Sequence, residues 1–354
     1  MKTDDARFGD QRQHLMRTLF PHGIPTLWCP ALTHFDDDGA IDRPRMRAHL
    51  GFMRRWVRGF LIPGSTGEGW EMSDAEADRL LDFMIEEVRA VGAHLLIGIL
   101  KADASHAVAR IRNLVARLMR RTGCADALES LRRAAVCGFT ICPPTGKDLS
   151  QRETQSALES VLALGFPVSL YQLPQITRNE MSSETVAALA NRFPNFYLFK
   201  DTSGADRVAV SGFRSVFLVR GAEGDYARHL TEGGGRYDGF LLSTANCFGR
   251  ELSAIIDALR AGNRSEAQAL SQRLTAVCSE VFEVAATVGA GNPFTNANKA
   301  IDHFFAHGPS AAAVAPSRLH SGKRLPRELI EAAGAALDRH GLMPARGYLG
   351  DHVG

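Results

Sequence analysis

The segment Asn195-Phe-Tyr-Leu-Phe-Lys200-Asp-Thr-Ser-Gly204 is an apolar run that ends on a lysine. The chain contains six lysines and thirty-five arginines, so a lysine at this position is an unusual choice. Apolar neighbours desolvate an amine and lower its pKa, and a neutral amine can attack a carbonyl carbon. Arginine cannot do this chemistry, because its guanidinium stays protonated. The alternative interpretation is a lysine at a strand end whose ammonium group extends into water.

The apolar run before Lys200 is one of eight β-rich runs in the chain. These runs cover residues 23–28, 59–63, 94–100, 138–142, 167–171, 196–200, 216–220 and 239–243. The segments between them carry apolar residues at helical spacing, as in Ser73 to Val91, Ser182 to Arg192 and Asp225 to Glu232. Eight strand–helix units in about 220 residues predict an α/β fold, a (β/α)8 TIM barrel. The alternative is an open doubly wound sheet, but no Gly-x-Gly-x-x-Gly motif follows the first strand.

This pattern predicts three regions in the chain. They are an N-terminal extension over residues 1–21, the barrel over 22–248 and a C-terminal helical region over 249–354. The C-terminal helices are predicted at residues 251–259, 265–287, 296–307 and 328–340. Residues 101–137 are too long for a single helix, so we expect a break at Gly123 and a second helix that begins near Asp126.

Composition and charge exclude several classes of function. The net charge is +2 and the arginines are interspersed with acidic residues, which argues against a nucleic-acid partner. The six cysteines show neither a Cys-x-x-Cys pair nor zinc-binding spacing, as is typical of reduced thiols in a cytosolic protein. No apolar stretch reaches 18 residues, so no membrane partner is expected. The sequence therefore predicts a soluble, cytoplasmic protein.

Polar residues follow several of the predicted strands, and in a barrel the chemistry collects at the C-terminal strand ends. After strand two, Gly64-Ser-Thr-Gly-Glu68 offers two hydroxyls and backbone N–H groups that suit a carboxylate, although an ordinary Gly-rich turn is the alternative. Tyr171 ends strand five and Lys200 ends strand six, about 5 Å apart across neighbouring strands. A phenol beside an amine can relay its protons, whereas packing alone is the simpler role for a tyrosine.

Strands seven and eight end in Gly221-Ala-Glu-Gly-Asp225 and Ser243-Thr-Ala-Asn246. Their polar side chains, Glu223, Asp225 and Ser243, are candidate substrate contacts because they follow strand ends.

Four motifs together carry a resemblance to a known family. Gly64-Ser-Thr-Gly-Glu68, Tyr171-x-x-Pro174, Phe199-Lys-Asp-Thr-Ser-Gly204 and Gly239-x-x-x-Ser-x-x-Asn246 occur in this order on the predicted strands. This set resembles the dihydrodipicolinate synthase / N-acetylneuraminate lyase family over roughly residues 22–300. The turn motif alone is weak, but the four motifs taken jointly are specific.

The resemblance implies a barrel with a C-terminal helical region, usually a homotetramer, that forms a Schiff base with a 2-oxo acid and uses no metal or organic cofactor. Lys200 would be the nucleophile and Tyr171 the proton-transferring phenol. Ser65 and Thr66 would hold the substrate carboxylate and help to orient Tyr171, and Gly64, Gly67 and Glu68 complete that binding turn.

Two departures from the family pattern bear on the substrate. Synthases of the family carry an arginine two residues after the proline of the Tyr-x-x-Pro turn, where this chain has Ile176, with Arg178 out of register. The paired tyrosines that the family carries after strand four are replaced by Pro144 and Thr145. The resemblance therefore implies a 2-oxo acid other than the lysine precursor, with Ile176, Thr145 and Lys147 near it. A solvated loop lysine is the alternative for Lys147.

An iminium at C2 accepts electrons from C3, so a 4-hydroxy-2-oxo acid can lose its C3–C4 bond or lose water. The sequence thus predicts a class I aldolase or hydro-lyase for a substrate such as a 2-keto-3-deoxy sugar acid. The alternatives are a dihydrodipicolinate synthase-type condensation and a non-catalytic barrel that binds a 2-oxo acid. His303 and His307 lie four residues apart without an acidic partner in register, so no metal is expected.

Overall fold

The computed structural model describes residues 4–350. Its eight parallel strands form a closed barrel in sequence order, so the predicted (β/α)8 barrel is confirmed. The strands are β1 (Leu27–Pro30), β2 (Gly59–Ile62), β3 (His94–Ile99), β4 (Val136–Ile141), β5 (Val168–Gln172), β6 (Phe196–Asp201), β7 (Phe217–Arg220) and β8 (Gly239–Leu241).

Helices connect the strands and continue after the last one. They are α1 (Asp4–Leu19), α2 (Arg43–Met53), α3 (Asp74–Ala90), α4 (Ala104–Thr122), α5 (Ala127–Arg133), α6 (Gln151–Leu162), α7 (Pro174–Thr177), α8 (Ser183–Arg192), α9 (Arg207–Val210), α10 (Tyr226–His229), α11 (Ala245–Arg260), α12 (Arg264–Ala286), α13 (Pro293–His307) and α14 (Arg327–Arg339). The four predicted C-terminal helices correspond to α11–α14. Short 3₁₀ turns lie at Thr231–Gly233 and Ala311–Ala313.

The two successive helices predicted between strands three and four are confirmed. Helix α4 ends where Gly123 takes a left-handed conformation with φ of 67°. Helix α5 begins after Asp126, whose side chain accepts a hydrogen bond from the backbone N–H of Glu129. Glycine reaches positive φ at no steric cost, and an aspartate at the N-cap satisfies an otherwise unpaired N–H.

Several predicted boundaries differ from the observed ones, and two of these differences have an evident reason. Strand β1 begins at Leu27 rather than at residue 23, because Pro25 has no N–H to donate to a neighbouring strand. The helix predicted over residues 225–232 is the single turn α10 followed by a 3₁₀ turn. The chain folds back there so closely that a Cβ on Gly235 would lie 2.1 Å from the carbonyl oxygen of His229.

The chain forms two compact units. One comprises the residues up to 26 together with 94–222 and 236–241, and the other comprises residues 27–93, 223–235 and 242 onward. The predicted division at residues 21 and 248 stays a prediction, and residues 1–3 and 351–354 of its outer regions lie outside the described residues. Among the helices of residues 4–350, none combines the length and hydropathy needed to cross a membrane. All six cysteines are free.

The first unit holds β3 to β8 and is joined to helix α1 through Arg12. The buried guanidinium of Arg12 donates to the carbonyl oxygens of Phe196 (2.7 Å), Ser215 (3.1 Å) and Phe193 (3.1 Å). Burial lowers the pKa of Arg12 to about 10. Backbone carbonyls therefore hold α1 against the start of β6.

The second unit holds β1, β2 and the C-terminal helices. Trp28 of β1 is fully buried and lies across Gly59 of β2, where a Cβ would come within 2.1 Å of its ring. Only glycine fits at that position, because any side chain would displace the ring. Each of the helices α11–α14 buries aliphatic side chains, as Leu252, Val281, Ile301 and Leu337 illustrate.

Candidate active site

In the first unit, the lysine and tyrosine predicted from the sequence lie side by side. Tyr171 of β5 and Lys200 of β6 are register partners in the sheet. The Nζ atom of Lys200 lies 3.9 Å from the centroid of the Tyr171 ring. Each residue is only 3% exposed, so the amine sits in an environment that water reaches poorly. The predicted adjacency is confirmed.

Gly221, at the end of β7, makes room for the lysine side chain. A Cβ on Gly221 would lie 2.8 Å from Cε of Lys200 and 2.5 Å from Cγ2 of Thr202. The backbone N–H of Gly221 also donates to the carbonyl oxygen of Asp201 at 2.6 Å. Sequence analysis treated this glycine only as part of a turn, since nothing local indicates that a lysine passes over it.

Cys142 follows β4 in the same unit, near the charge of Lys200. Burial raises the pKa of the Cys142 thiol to about 12, although the lysine charge works in the opposite direction. A thiol that stays protonated is a poor nucleophile. Cys142 is therefore a poor candidate for a nucleophile.

The loop after β4 is fastened to the segment after α7. The backbone N–H of Thr145 donates to the carbonyl oxygen of Ala102 at 2.8 Å. The Asn179 amide donates to the carbonyl oxygens of Pro144 (2.7 Å) and Gly146 (2.9 Å). Thr145 thus lies on a loop whose backbone is held on both sides.

The other predicted residues of this region differ in exposure. Ile176 is half-buried on the single turn of α7, whereas Lys147 and Arg178 are exposed. Arg178 takes a left-handed conformation at the end of α7, with φ of 59°. The two exposed cations lie outside the buried part of this loop region.

In the second unit, the Gly-rich turn after β2 is closed by its own backbone. The N–H groups of Gly67 and Gly69 donate to the carbonyl oxygen of Gly64, and that of Glu68 donates to Ser65, at 3.0–3.1 Å. Within residues 4–350, no backbone bond of this turn has the Ser65 or Thr66 N–H as its donor. Both residues are 4% exposed.

Close packing against β1 explains the glycines of this turn. A Cβ on Gly67 would lie 2.5 Å from the carbonyl oxygen of Ala31, and one on Gly64 would lie 2.9 Å from Cβ of Pro30. The hydroxyl of Ser65 accepts a hydrogen bond from the Trp70 indole at 3.0 Å. The backbone and the Ser65 hydroxyl of the turn are therefore fixed in place.

Glu68, the last residue of that motif, has protein partners for its carboxylate. Its Oε2 atom lies 2.5 Å from Nζ of the fully buried Lys299 on α13. Its Oε1 atom accepts a hydrogen bond from the backbone N–H of His320 at 2.7 Å. Substrate binding by Glu68 stays a prediction, and the observed contacts show an internal ion pair. Lys299 could not be found from the sequence, because it lies 231 positions from Glu68.

Glu223 accepts hydrogen bonds from three hydroxyl groups. They come from Ser243 (2.6 Å), Thr244 (2.6 Å) and Tyr226 (3.0 Å), and the Thr244 backbone N–H adds a fourth bond at 3.1 Å. Burial raises the pKa of Tyr226, so its phenol remains a donor. Asp225, by contrast, is exposed. The sequence predicted Glu223 and Ser243 individually, and the structure pairs them.

A buried cluster of His34, His49 and Asp302 is the one group of three potential metal ligands among the described residues. The two imidazoles are hydrogen-bonded at 2.9 Å, and Asp302 accepts from Arg45 and Tyr348, both at 3.0 Å. Burial lowers the pKa of His34 well below its usual value. These contacts describe a neutralised hydrogen-bond network. The histidine pair considered from the sequence, His303 and His307, is not part of this cluster.

A buried lysine beside a tyrosine, on neighbouring strands of a (β/α)8 barrel, defines the class of Schiff-base-forming barrel lyases. The chain belongs to the dihydrodipicolinate synthetase family, whose sequence profile matches residues 106–290. The protein is therefore a class I lyase that acts on a 2-oxo acid. The resemblance inferred from the four motifs is confirmed.

Relatives and solved structures agree with this assignment. The chain is 30% identical to a 4-hydroxy-tetrahydrodipicolinate synthase of Xanthomonas axonopodis pv. citri, over 69% of this chain and 75% of the relative. It is 26% identical to an N-acetylneuraminate lyase of an Enterobacter species, over 73% of this chain and 80% of the relative.

Two solved structures share the fold. One is a prophage protein of the dihydrodipicolinic acid synthase family from E. coli K12 in complex with pyruvate, with a TM-score of 0.69 and 20% identity over 90% of this chain and 99% of that chain. The other is a variant of the Sulfolobus solfataricus 2-keto-3-deoxygluconate aldolase in complex with L-2-keto,3-deoxy-galactonate. Its TM-score is 0.65, with 15% identity over 90% of this chain and 96% of that chain.

Proposed function

We propose that the protein cleaves or dehydrates a 4-hydroxy-2-oxo acid, such as a 2-keto-3-deoxy sugar acid, with Lys200 as nucleophile and Tyr171 as proton carrier. The observation that carries this proposal is the buried Lys200 amine 3.9 Å from the centre of the Tyr171 ring. The proposed reaction needs a nucleophile beside a group that can give and take protons, and an amine next to a phenol supports these two roles.

The reaction begins when Nζ of Lys200 adds to the C2 carbonyl and water leaves, which gives an iminium. In aldol cleavage, the C4 hydroxyl loses its proton, the C3–C4 bond breaks, and its electrons enter the iminium as an enamine. C4 leaves as an aldehyde, C3 takes up a proton, and water releases the shortened 2-oxo acid. In dehydration, C3 loses the proton and the C4 hydroxyl departs as water. Tyr171 is the proposed carrier for these protons.

The substrate carboxylate is assigned to the turn after β2. Ser65 and Thr66 are buried, and their backbone N–H groups are not used to close the turn. Backbone N–H groups and hydroxyls together make a suitable site for an anion. The resemblance to the family likewise assigns this turn to the carboxylate of the 2-oxo acid.

The chemistry around Glu223 supports a hydroxylated substrate chain. The hydroxyl protons of Ser243 and Thr244 both point to the Glu223 carboxylate, at 2.6 Å. Each of these oxygens can then only accept further hydrogen bonds, which suits the hydroxyl groups of a sugar acid. A second carboxylate on the substrate would be repelled by Glu223.

The names of two relatives indicate two kinds of reaction, cleavage by a lyase and condensation by a synthase. A synthase-type condensation, as the Xanthomonas relative's name indicates for that protein, is the second candidate, because Lys147 and Arg178 are exposed cations beside the loop of Thr145. The half-buried Ile176 favours the first candidate, since an unpaired carboxylate against an apolar side chain would cost several kcal/mol.

We expect measurable cleavage or dehydration of a 2-keto-3-deoxy sugar acid and negligible condensation of pyruvate with aspartate semialdehyde. Coupled assays of both reactions on one preparation check this. A condensation faster by tenfold or more would mean that Lys147 or Arg178 supplies the missing cation. In that case, Lys147→Met and Arg178→Met would each identify the residue by the loss of condensation.

A second expectation concerns Gly221. Gly221→Ala should lower turnover by roughly 10–100-fold, because the new methyl group would displace the Lys200 side chain, and small misplacements of a reacting group are costly. The rate of borohydride trapping with pyruvate measures the effect on imine formation directly. Gly289→Ala is the matched control, since its backbone has no positive φ and no atom lies within 4 Å of its Cβ. Equal rates for parent and Gly221→Ala would contradict the expectation.

The resemblance also supports a homo-oligomeric assembly, dimer or tetramer, and light scattering at several protein concentrations tests it. A monomer at all concentrations would reject this part of the proposal.

A further inference from the structure

Helix α13 directs one row of side chains at the turn that follows β2. Asn292 caps the helix, Thr295 lies in its first turn and Lys299 lies one turn further on. Their spacing of three and four residues places them on one face of a helix. We propose that this row positions the substrate-binding turn, so that α13 sets the affinity of the enzyme for the carboxylate of its 2-oxo acid.

The contacts reach three successive parts of the turn. The Asn292 amide donates to the carbonyl oxygen of Ser65 at 3.2 Å. The Thr295 hydroxyl donates to the carbonyl oxygen of Thr66 at 2.9 Å and lies 3.4 Å from that of Ser65. The Lys299 ammonium lies 2.5 Å from the Glu68 carboxylate.

The peptide plane between Ser65 and Thr66 explains why these contacts matter. The carbonyl of Ser65 and the N–H of Thr66 belong to one rigid planar group and point in opposite directions. Since Asn292 and Thr295 hold the carbonyl side, the N–H of Thr66 is directed away from α13. The helix therefore fixes the direction of the N–H group that is proposed to bind the carboxylate.

The ion pair anchors the far end of the turn. Lys299 is fully buried, also donates to the carbonyl oxygen of Arg318 at 2.7 Å, and lies 4.9 Å from the ring centre of Phe35. Glu68 takes a left-handed conformation with φ of 62°, which a glutamate adopts only when its surroundings impose it. A buried ion pair contributes little to the net stability of a protein, but removing one partner alone is strongly destabilising. We therefore assign this pair to holding the turn in position.

The inference rests on the proposed function of the turn. Two ketones, pyruvate and methyl pyruvate, allow the function of the turn and the role of α13 to be tested separately. Pyruvate carries the carboxylate, whereas methyl pyruvate presents the same ketone without the charge. Both can form an imine with Lys200, which borohydride traps and intact mass records. The ratio of their half-saturating concentrations reports the contribution of the carboxylate, and a general loss of stability would not change this ratio selectively.

We expect Thr295→Val to raise the half-saturating concentration of pyruvate by roughly 3–10-fold, the effect of one lost hydrogen bond, and to leave methyl pyruvate within a factor of two. Thr295→Ser keeps the hydroxyl and should restore the parent value. Ile301→Val is the control for a buried apolar change on the same helix.

Lys299→Met tests the anchor, and the exposed Lys323→Met is its control. In Lys299→Met, the half-saturating concentration of pyruvate should rise by more than roughly 10-fold, because a buried Glu68 without its partner would shift the turn.

The outcomes are distinguishable. If the parent enzyme binds pyruvate no better than methyl pyruvate, the turn does not bind the carboxylate, and the proposed function of Ser65 and Thr66 fails. If the parent prefers pyruvate and Thr295→Val keeps that preference within a factor of two, the proposed function stands and the positioning role of α13 is overturned. Should Lys299→Met fail to fold, the Thr295→Val and Thr295→Ser pair still decides between these results.

Discussion

Lys200→Arg is expected to abolish turnover, with a loss of at least roughly 10⁴-fold, the range seen when a covalent nucleophile is removed. Arginine keeps a positive charge over the Tyr171 ring, so the fold and the local electrostatics change little. Its guanidinium cannot form the imine, because it does not deprotonate. Turnover of a 4-hydroxy-2-oxo acid and borohydride trapping with pyruvate measure the loss.

The position of the trapped adduct is the second readout of the same prediction. Pyruvate with borohydride should add one stable adduct to the parent, on the peptide that contains Lys200. Lys299 is an internal control, because it is equally buried but ion-paired with Glu68. An adduct spread over Lys101, Lys147 and Lys299 would contradict the assignment, and so would an unchanged adduct yield in Lys200→Arg.

Tyr171→Phe is expected to lower turnover by roughly 10²–10⁴-fold while imine formation continues at reduced speed. Phenylalanine keeps the ring that faces Nζ of Lys200 and removes only the hydroxyl, so the loss reports on proton transfer. Single-turnover trapping and steady-state turnover on the same preparation separate the two steps.

Tyr197→Phe is the matched control for removing a buried phenol. Its hydroxyl donates to the carbonyl oxygen of Cys137 at 3.0 Å, and the residue lies on the same strand as Lys200. That variant should lose stability without a selective loss of turnover. A Tyr171→Phe enzyme within a factor of three of the parent would reject the proton-carrier role.

The barrel was predictable because each of its units is encoded locally. Apolar runs such as Phe196 to Lys200 and the capping box of Ser73 and Glu76 specify their elements from adjacent residues, and the capping box is present at α3. The error at residues 225–232 falls where close packing decides, at the approach of Gly235 to His229. A local pattern contains no information about such contacts.

The part of the candidate site that follows directly from strand order could also be predicted from the sequence. Lys200 and Tyr171 each follow a strand, and the register of parallel neighbours brings them together. Glu223 is hydrogen-bonded to hydroxyls at the end of the next strand, and the ion pair of Glu68 with Lys299 joins segments 231 residues apart. Only the folded chain reveals that a residue predicted as a substrate contact has its charge paired inside the protein.

Arg12 has a consequence for the order in which the protein assembles during synthesis. Its guanidinium binds the carbonyl oxygen of Phe196, which follows it by 184 residues, and that of Ser215, which follows it by 203. The ribosome releases helix α1 long before these partners exist, so α1 cannot dock until most of the chain has emerged. Helix α1 therefore docks only after the chain has been made through Ser215, and it then packs against the start of the strand that carries Lys200.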